Sequence, residues 1–376
     1  MHVAFYAPMK APDSPIPSGD REIARVLVQA LKELGYQVSL ASHLRSWQGT
    51  PDQARYTQII LETQAEKSRL LDEYSKSMKQ PEIWLTYHSY YKAPDLLGPA
   101  MASALSIPYL LVEASRAAKR ENGPWAAGFA AAEKALKRAD LVASLHHRDE
   151  IGISEIVPDH RRMRLPPFID TAPFRRAGNS LMENNPIELL TVAMMRPGDK
   201  QASYEILAKA LKEIQNLDWH LTIIGDGEAR TIIEPLFEGL SCTFKGALTR
   251  EQIAENCKTA DIFVWPAINE SFGMVFLEAQ AASLAVVAGD SLGVPDVVAD
   301  GESGLLVPAG DVAAFACALK KLLRYATMLE KFRRDAARYV EAEHSLTIGK
   351  QRLVTCINAA IANFKNAKAQ DEGRSS

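Results

Sequence analysis

Glu270 and Glu278 stand eight residues apart in the stretch Asn269-Glu270-Ser271-Phe272-Gly273-Met274-Val275-Phe276-Leu277-Glu278, with an apolar run, residues 262–265, leading straight into them. On one helix the two carboxylates would be about 12 Å apart along the axis. If Gly273 and Met274 instead open the helix, Glu270 lies in the preceding loop and Glu278 in the second turn. The Phe272, Gly273 and Met274 N–H groups then lie between them. Strand, loop and helix in that order place the segment at the carboxyl edge of a parallel sheet, where open α/β sheets bind ligands. A helix N-terminus there offers free N–H groups and a positive dipole end to phosphate. The carboxylates have no anion to hold, so they suit sugar or ribose hydroxyls. A nucleotide-sugar meets both demands. A solvated glutamate pair would show the same spacing, but the apolar flanks argue against it.

Two cations have a similar setting. Arg196 and Lys200, in Met194-Met195-Arg196-Pro197-Gly198-Asp199-Lys200, follow an apolar run and precede a helical pattern. There they could neutralise a diphosphate leaving group. Two exposed cations on an ordinary loop fit this segment equally well. Gly225, in Ile223-Ile224-Gly225-Asp226-Gly227-Glu228, would let the backbone approach a ligand. A plain Gly-rich turn reads the same, and the pattern is not a P-loop. Gly293-Val294-Pro295-Asp296 and Asp300-Gly301-Glu302-Ser303-Gly304 read as structural turns.

The elements that must position these residues are strand-like runs alternating with amphipathic stretches. The runs are 2–6, 37–40, 83–86, 109–112, 141–144, 188–193, 220–224, 242–245, 262–265, 285–288 and 304–307. Helical patterns include 20–34, 125–138, 204–214 and 312–325. This alternation means βαβ units and parallel sheets, an α/β fold. So many strands exceed one comfortable sheet, so two are expected. The break falls in the Pro-, Asn- and Arg-rich stretch from Leu165 to Pro186. Beyond residue 307 the chain reads as helical to about 365, then as a polar, frayed tail.

Composition narrows the class. A chain of 376 residues accommodates two domains, and 47% hydrophobic with 24% charged residues is ordinary for a globular protein. Lys and Arg number 21 against 20 Asp and Glu in residues 1–170, and 22 against 26 afterwards, so neither half is a polarised surface. Net charge of −3 speaks against nucleic acid as a partner. The four cysteines, Cys242, Cys257, Cys317 and Cys356, have no C-x-x-C spacing, which fits a reducing compartment without a zinc site or disulfide framework. The opening run is too short for a signal peptide, and none approaches the ~20 apolar residues of a membrane helix. A cytoplasmic location is expected.

The order Arg196…Lys200, Gly225-Asp226-Gly227, Phe244-Lys245-Gly246, Glu270-x7-Glu278, Gly293-Val294-Pro295-Asp296 and Asp300-Gly301-Glu302-Ser303-Gly304 resembles the C-terminal half of glycosyltransferase family 4. The resemblance covers roughly residues 186–347, and Ser345-Leu346 resembles the family's entry into its final helix. It implies the GT-B architecture, two Rossmann-like parallel-sheet domains facing across a cleft. Residues 1–170 would bind the acceptor and 171–347 the donor, with a helix from 348 packing back toward the first domain before the tail. Arg196 and Lys200 would bind the diphosphate. Glu270 with the Phe272, Gly273 and Met274 backbone would hold the donor sugar and distal phosphate, and Glu278 the ribose. Gln201 stands where the family usually has glycine.

The N-terminal half matches more loosely. Pro15-Ile16-Pro17-Ser18-Gly19-Asp20-Arg21 resembles the family's glycine-bearing loop near diphosphate and acceptor, which makes Gly19 a candidate. His88, in Tyr87-His88-Ser89, ends a strand where acceptors bind, though a loop histidine with no such role fits as well. After run 109–112 many members carry a histidine; here Glu113 takes about that place. It could orient an acceptor hydroxyl or take its proton, or be a structural carboxylate paired with Arg116 or Lys119.

The activity so implied is retaining, front-side transfer of a hexose to a hydroxyl. The departing diphosphate takes the proton, and the protein supplies position and charge neutralisation. No Asp-x-Asp motif is present, so no metal is expected. No cofactor is expected beyond the donor substrate, a UDP-, GDP- or ADP-sugar. Glycan, lipid-linked and small-molecule acceptors stay open. Arg161-Arg162-Met163-Arg164 allows peripheral contact at the inner face of a membrane, with a solvated basic turn as the plainer reading. Rival readings are a nucleotide-sugar epimerase of the same fold and a nucleotide-sugar-binding pseudoenzyme; a phosphorylase would need a much longer chain.

Overall fold

The computed structural model describes residues 1–16, 18–176, 186–271 and 273–375, with backbone alone for 371 and 373–375. Pro17, Phe272, Ser376 and residues 177–185, part of the stretch expected to link two domains, lie outside the described residues. The chain divides into two compact units, Met1–Pro167 with Thr347–Ser376, and Phe168–Leu346.

Unit 1 runs β1 (His2–Tyr6), α1 (Gly19–Glu33), β2 (Gln37–Ser42), α2 (Gln53–Lys76), β3 (Ile83–Ser89), α3 (Gly98–Leu105), β4 (Tyr109–Ala114), α4 (Ala126–Arg138), β5 (Leu141–Ser144), α5 (His147–Ser154) and β6 (Arg162–Arg164). Its strands pair in the order β2-β1-β3-β4-β5-β6, all parallel. Residues 3–6 and 109–112 are wholly buried. Helices cover both faces of such a sheet, so consecutive positions must be apolar rather than alternate ones. α1 shows the local logic: the Ser18 hydroxyl accepts the Arg21 N–H, and Ile23, Val26, Leu27, Ala30 and Leu31 form the buried stripe.

Unit 2 runs β7 (Ile187–Val192), α6 (Asp199–Lys212), β8 (Trp219–Ile224), α7 (Arg230–Ile233), β9 (Cys242–Phe244), α8 (Arg250–Thr259), β10 (Ile262–Trp265), α9 (Met274–Ala281), β11 (Ala285–Asp290), β12 (Gly304–Pro308), α10 (Val312–Arg324) and α11 (Ala326–Glu343). The parallel order is β12-β11-β10-β7-β8-β9. Its first and last segments meet: the Ile169 N–H donates to the His344 carbonyl at 2.8 Å, and Arg175 pairs with Glu341 at 3.0 Å. The final helix, α12 (Leu346–Ser375), returns to unit 1. There Lys350 pairs with Glu33 at 3.1 Å, and the Asn363 amide donates to the Asp140 and His160 carbonyls, both at 2.9 Å.

Three elements differ from expectation. Arg162–Arg164, expected as a turn, is an edge strand. Residues from 369 on, expected to fray, continue α12 as far as Ser375. α2 is 24 residues long yet buries only Ile59, Thr63, Leu70 and Tyr74, too narrow a stripe to show as strong periodicity.

Strand order reverses between β1 and β3 in unit 1, and between β7 and β10 in unit 2. These are the switch points, where the loops leaving adjacent strands part to opposite faces and open a crevice.

Candidate functional site

In unit 2 the loop after β7 delivers Lys200 in the first turn of α6, and the loop after β10 delivers Glu270. The Lys200 ammonium donates to Glu270 Oε2, so the two groups bridge the switch point. Trp265 Nε1 donates to the same oxygen at 3.2 Å, and the ammonium lies 5.4 Å from the Trp265 ring centroid. The β10 loop is tied down on α6: the Ile268 N–H donates to Ser203 Oγ at 3.0 Å and Asn269 Nδ2 to Asp199 Oδ1 at 2.9 Å. Ala267 and Asn269 take positive φ, 57° and 49°. Such backbone costs about 1–3 kcal/mol per residue and gathers where geometry matters more than stability.

Gly273 caps α9 with φ +64°, and a Cβ there would approach the Phe276 ring to 3.0 Å and Glu270 Cγ to 3.3 Å. Glycine therefore lets Glu270 and the start of α9 share one small volume. Met274 is the first residue of α9, and Glu278 sits in its second turn. Phe272, the third backbone donor expected here, is outside the described residues. Glu278 faces Arg250, the first residue of α8, at 3.4 Å; the Arg250 guanidinium lies 5.7 Å from the Phe174 ring. The sequence reading missed Arg250 and Trp265.

Other candidates sit apart. Arg196 is exposed and makes no ion pair among the described residues. Gly225 has φ +147°, and a Cβ on it would lie 1.9 Å from the Ala193 carbonyl oxygen. Glycine at 225 thus answers a close backbone approach inside the unit. Gln201 donates to Glu205 at 2.9 Å.

At the carboxyl edge of unit 1, Gly19 opens α1, and a Cβ there would meet nothing within 4 Å. Its neighbour Asp20 pairs with His88 Nδ1 at 3.0 Å, bridging the β1/β3 switch point. Burial works against a charged His88, but Asp20 outweighs it and raises the imidazole pKa; Asp20 itself is held below its usual range by His88 despite burial.

Glu113 ends β4 with φ 57°, and His88 on β3 has φ 63°. Glu113 is 6% exposed. It does not pair with Arg116, which turns to Glu133 at 2.6 Å and to Glu155. Its charged neighbour is His146 at 3.6 Å, and His146 Nε2 also meets Asp149 at 3.0 Å. Burial opposes the imidazolium, yet Asp149 and Glu113 lift its pKa to about 10; burial raises that of Asp149. Ligand atoms of Glu113, His146 and Asp149 lie within 4.8 Å of one another, close enough to share one cation. The sequence signal for His146 was available, since it follows a wholly buried run just as Glu113 does.

The basic run is largely compensated: Arg162 pairs with Asp159, Arg164 with Glu150 at 3.6 Å, and Arg161 donates to the Lys137 and Ala139 carbonyls. Among the described residues no helix is long and apolar enough to cross a membrane.

Comparison with known proteins places the family match in unit 2, while structural neighbours span both units. A family described as "Glycosyl transferases group 1" matches residues 186–325. A D-inositol 3-phosphate glycosyltransferase from Geodermatophilus obscurus is 29% identical over 279 residues, 66% of this chain and 61% of that protein. The chain spans less than two thirds of the first curated relatives, from 21% to 61% of their length. Among solved structures, sucrose-phosphate synthase from Thermosynechococcus elongatus superposes with TM-score 0.74 at 16% identity, covering 96% of this chain and 99% of that one. The Anabaena protein Alr3699/HepE in complex with UDP-glucose gives 0.69 at 13% identity, covering 96% and 100%. At such identity the likeness shows the fold, and that fold is GT-B.

Proposed function

We propose that this chain, which belongs through residues 186–325 to the group 1 glycosyl transferases, is a retaining enzyme moving a hexose from a nucleoside-diphosphate sugar to a hydroxyl acceptor. One observation carries the reading. Lys200 and Glu270 meet across the switch point of unit 2, inside the segment that matches the family.

In this reading Arg196 and Lys200 neutralise the diphosphate. An ammonium has three N–H donors, so Lys200 can keep Glu270 and still hold a phosphate oxygen. Glu270 with the Gly273 and Met274 N–H groups holds the sugar and distal phosphate, while Glu278, steadied by Arg250, holds the ribose. The bond from C1 to the diphosphate oxygen breaks as a bond from C1 to the acceptor oxygen forms on the same face. The acceptor proton passes to the departing phosphate oxygen. Fixed charge near that oxygen is worth up to about 10³-fold in rate. Two cations supply the charge that a metal ion supplies elsewhere, so transfer is read as metal-independent. Unit 1, with Gly19, His88 and Glu113 at its edge, is assigned the acceptor.

Release of the nucleoside diphosphate from UDP-glucose, GDP-mannose and ADP-glucose, assayed over a panel of sugars, cyclitols and polyol lipids, tests this. The expected result is acceptor-dependent release, an α-linked product by NMR and no loss with EDTA. A β-linked product would refute retention, and loss with EDTA would refute metal independence. No release from any donor would sink the transferase itself.

A further inference from the structure

The acceptor assignment of unit 1 names Glu113 but leaves the cluster it belongs to without a stated role. Glu113 lies near the end of β4, His146 is the N-cap of α5, and Asp149 lies in its first turn. Here Glu113 Oε2 is buried with no hydrogen-bond partner among the described residues, and the same holds for the Tyr87 hydroxyl on β3. Tyr87 and Glu113 belong to one electrostatic neighbourhood, because Glu113 helps burial and Asp20 to raise the Tyr87 pKa. Glu113 Oε2 can accept and the Tyr87 hydroxyl can donate, together the complement of a hydroxyl group. Backbone geometry agrees: Glu113 keeps a left-handed φ that few non-glycine residues adopt, and the Tyr87–Val112 and Ser89–Ala114 pairs bracket it beside the equally left-handed His88. An ionised carboxylate accepts and cannot donate, so its partner must be an O–H or N–H group.

We propose that Glu113 Oε2 takes the hydrogen bond of an acceptor hydroxyl other than the one that is glycosylated, and that His146, held by Asp149, is the positioning residue that fixes the Glu113 carboxylate. The partner chemistry is an uncharged hydroxyl of a sugar, cyclitol or other polyol. This rests on the glycosyl-transfer reading.

The test uses the full chain and whichever acceptor of the panel supports UDP release. His146→Ala should raise the acceptor KM about tenfold or more, and Asp149→Asn about threefold. His146→Gln, which still offers Glu113 an N–H, should lie between His146→Ala and wild type. UDP should raise Tm equally in all four proteins. Unchanged acceptor KM in both His146 variants, with wild type active, overturns this inference alone. A loss that merely follows a fallen Tm and a lost UDP response also overturns it, as a structural role. Removal of activity by EDTA and its return with one zinc or manganese per chain would make the trio a metal site and overturn it too. If wild type releases UDP with no acceptor although UDP raises its Tm, the transfer reading fails and this one with it.

Discussion

Each unit closes its switch point with a charge pair, but the pairs are chemically opposite. In unit 2 the pair is Lys200–Glu270, at the start of α9, with Arg196 exposed on the loop after β7. In unit 1 it is Asp20–His88, with Glu113, His146 and Asp149 along the next two strands. One edge offers permanent cations and a helix N-terminus, suited to phosphate. The other offers carboxylates and imidazoles, suited to hydroxyls. Both sheets are six-stranded and parallel. In the proposed reading the shared fold sets where each ligand lies, and the residue types on four loops decide which ligand it is.

The contrast can be broken most sharply at Lys200. Lys200→Ala should cut kcat about 10³-fold with little change in Tm, whereas Glu113→Gln should cost about tenfold, appearing in the acceptor KM. Comparable losses in UDP-release kinetics would erase the distinction. Next in size is a control within unit 1. The Asp95 carboxylate is buried like that of Glu113 but fully used: it accepts from Thr86 Oγ1 at 2.5 Å, Tyr109 Oη at 2.7 Å, and the Leu97 and Gly98 N–H groups at 3.0 and 2.7 Å. Asp95→Ala should cost about 3 kcal/mol of stability in urea unfolding, and Glu113→Gln under about 1. Equal costs would make Glu113 a structural carboxylate. Glu278→Ala should weaken UDP binding about tenfold by calorimetry, and Glu270→Ala should affect it less than it affects turnover.

The smallest effect is in pH. The His146 pKa of about 10 exceeds the ~6.5 of an unfolded chain. Its pairing with Glu113 and Asp149, near His88 and Asp20, therefore stabilises fully below about pH 6.5 and is lost as pH rises through 10. The Tm advantage of wild type over His146→Gln should shrink steadily from pH 7 to 10. An advantage that grows over that range contradicts the ion-pair assignment.

The donor side was legible because its residues lie in contiguous strand–loop–helix segments whose period and turn residues can be read locally. The closure of Lys200 on Glu270 spans 70 residues and depends on β7 lying beside β10, which no local pattern states. Arg250 was missed for the same reason, since it reaches Glu278 from another helix. Glu113 was found by resemblance, but the partners first considered, Arg116 and Lys119, were sequence neighbours; Arg116 is drawn to Glu133 and Glu155. β6 was hidden because Arg162-Met163-Arg164 is a short edge strand, all three residues half-buried, with little apolar signal.

The most direct measurement is calorimetric titration of UDP into wild type, Lys200→Ala, Glu278→Ala and Glu113→Gln. Nucleotide binding should fall at least tenfold in the two unit 2 variants and stay at the wild-type value in Glu113→Gln. Wild-type affinity in both unit 2 variants, or lost affinity in Glu113→Gln, would contradict the assignment of the donor to unit 2.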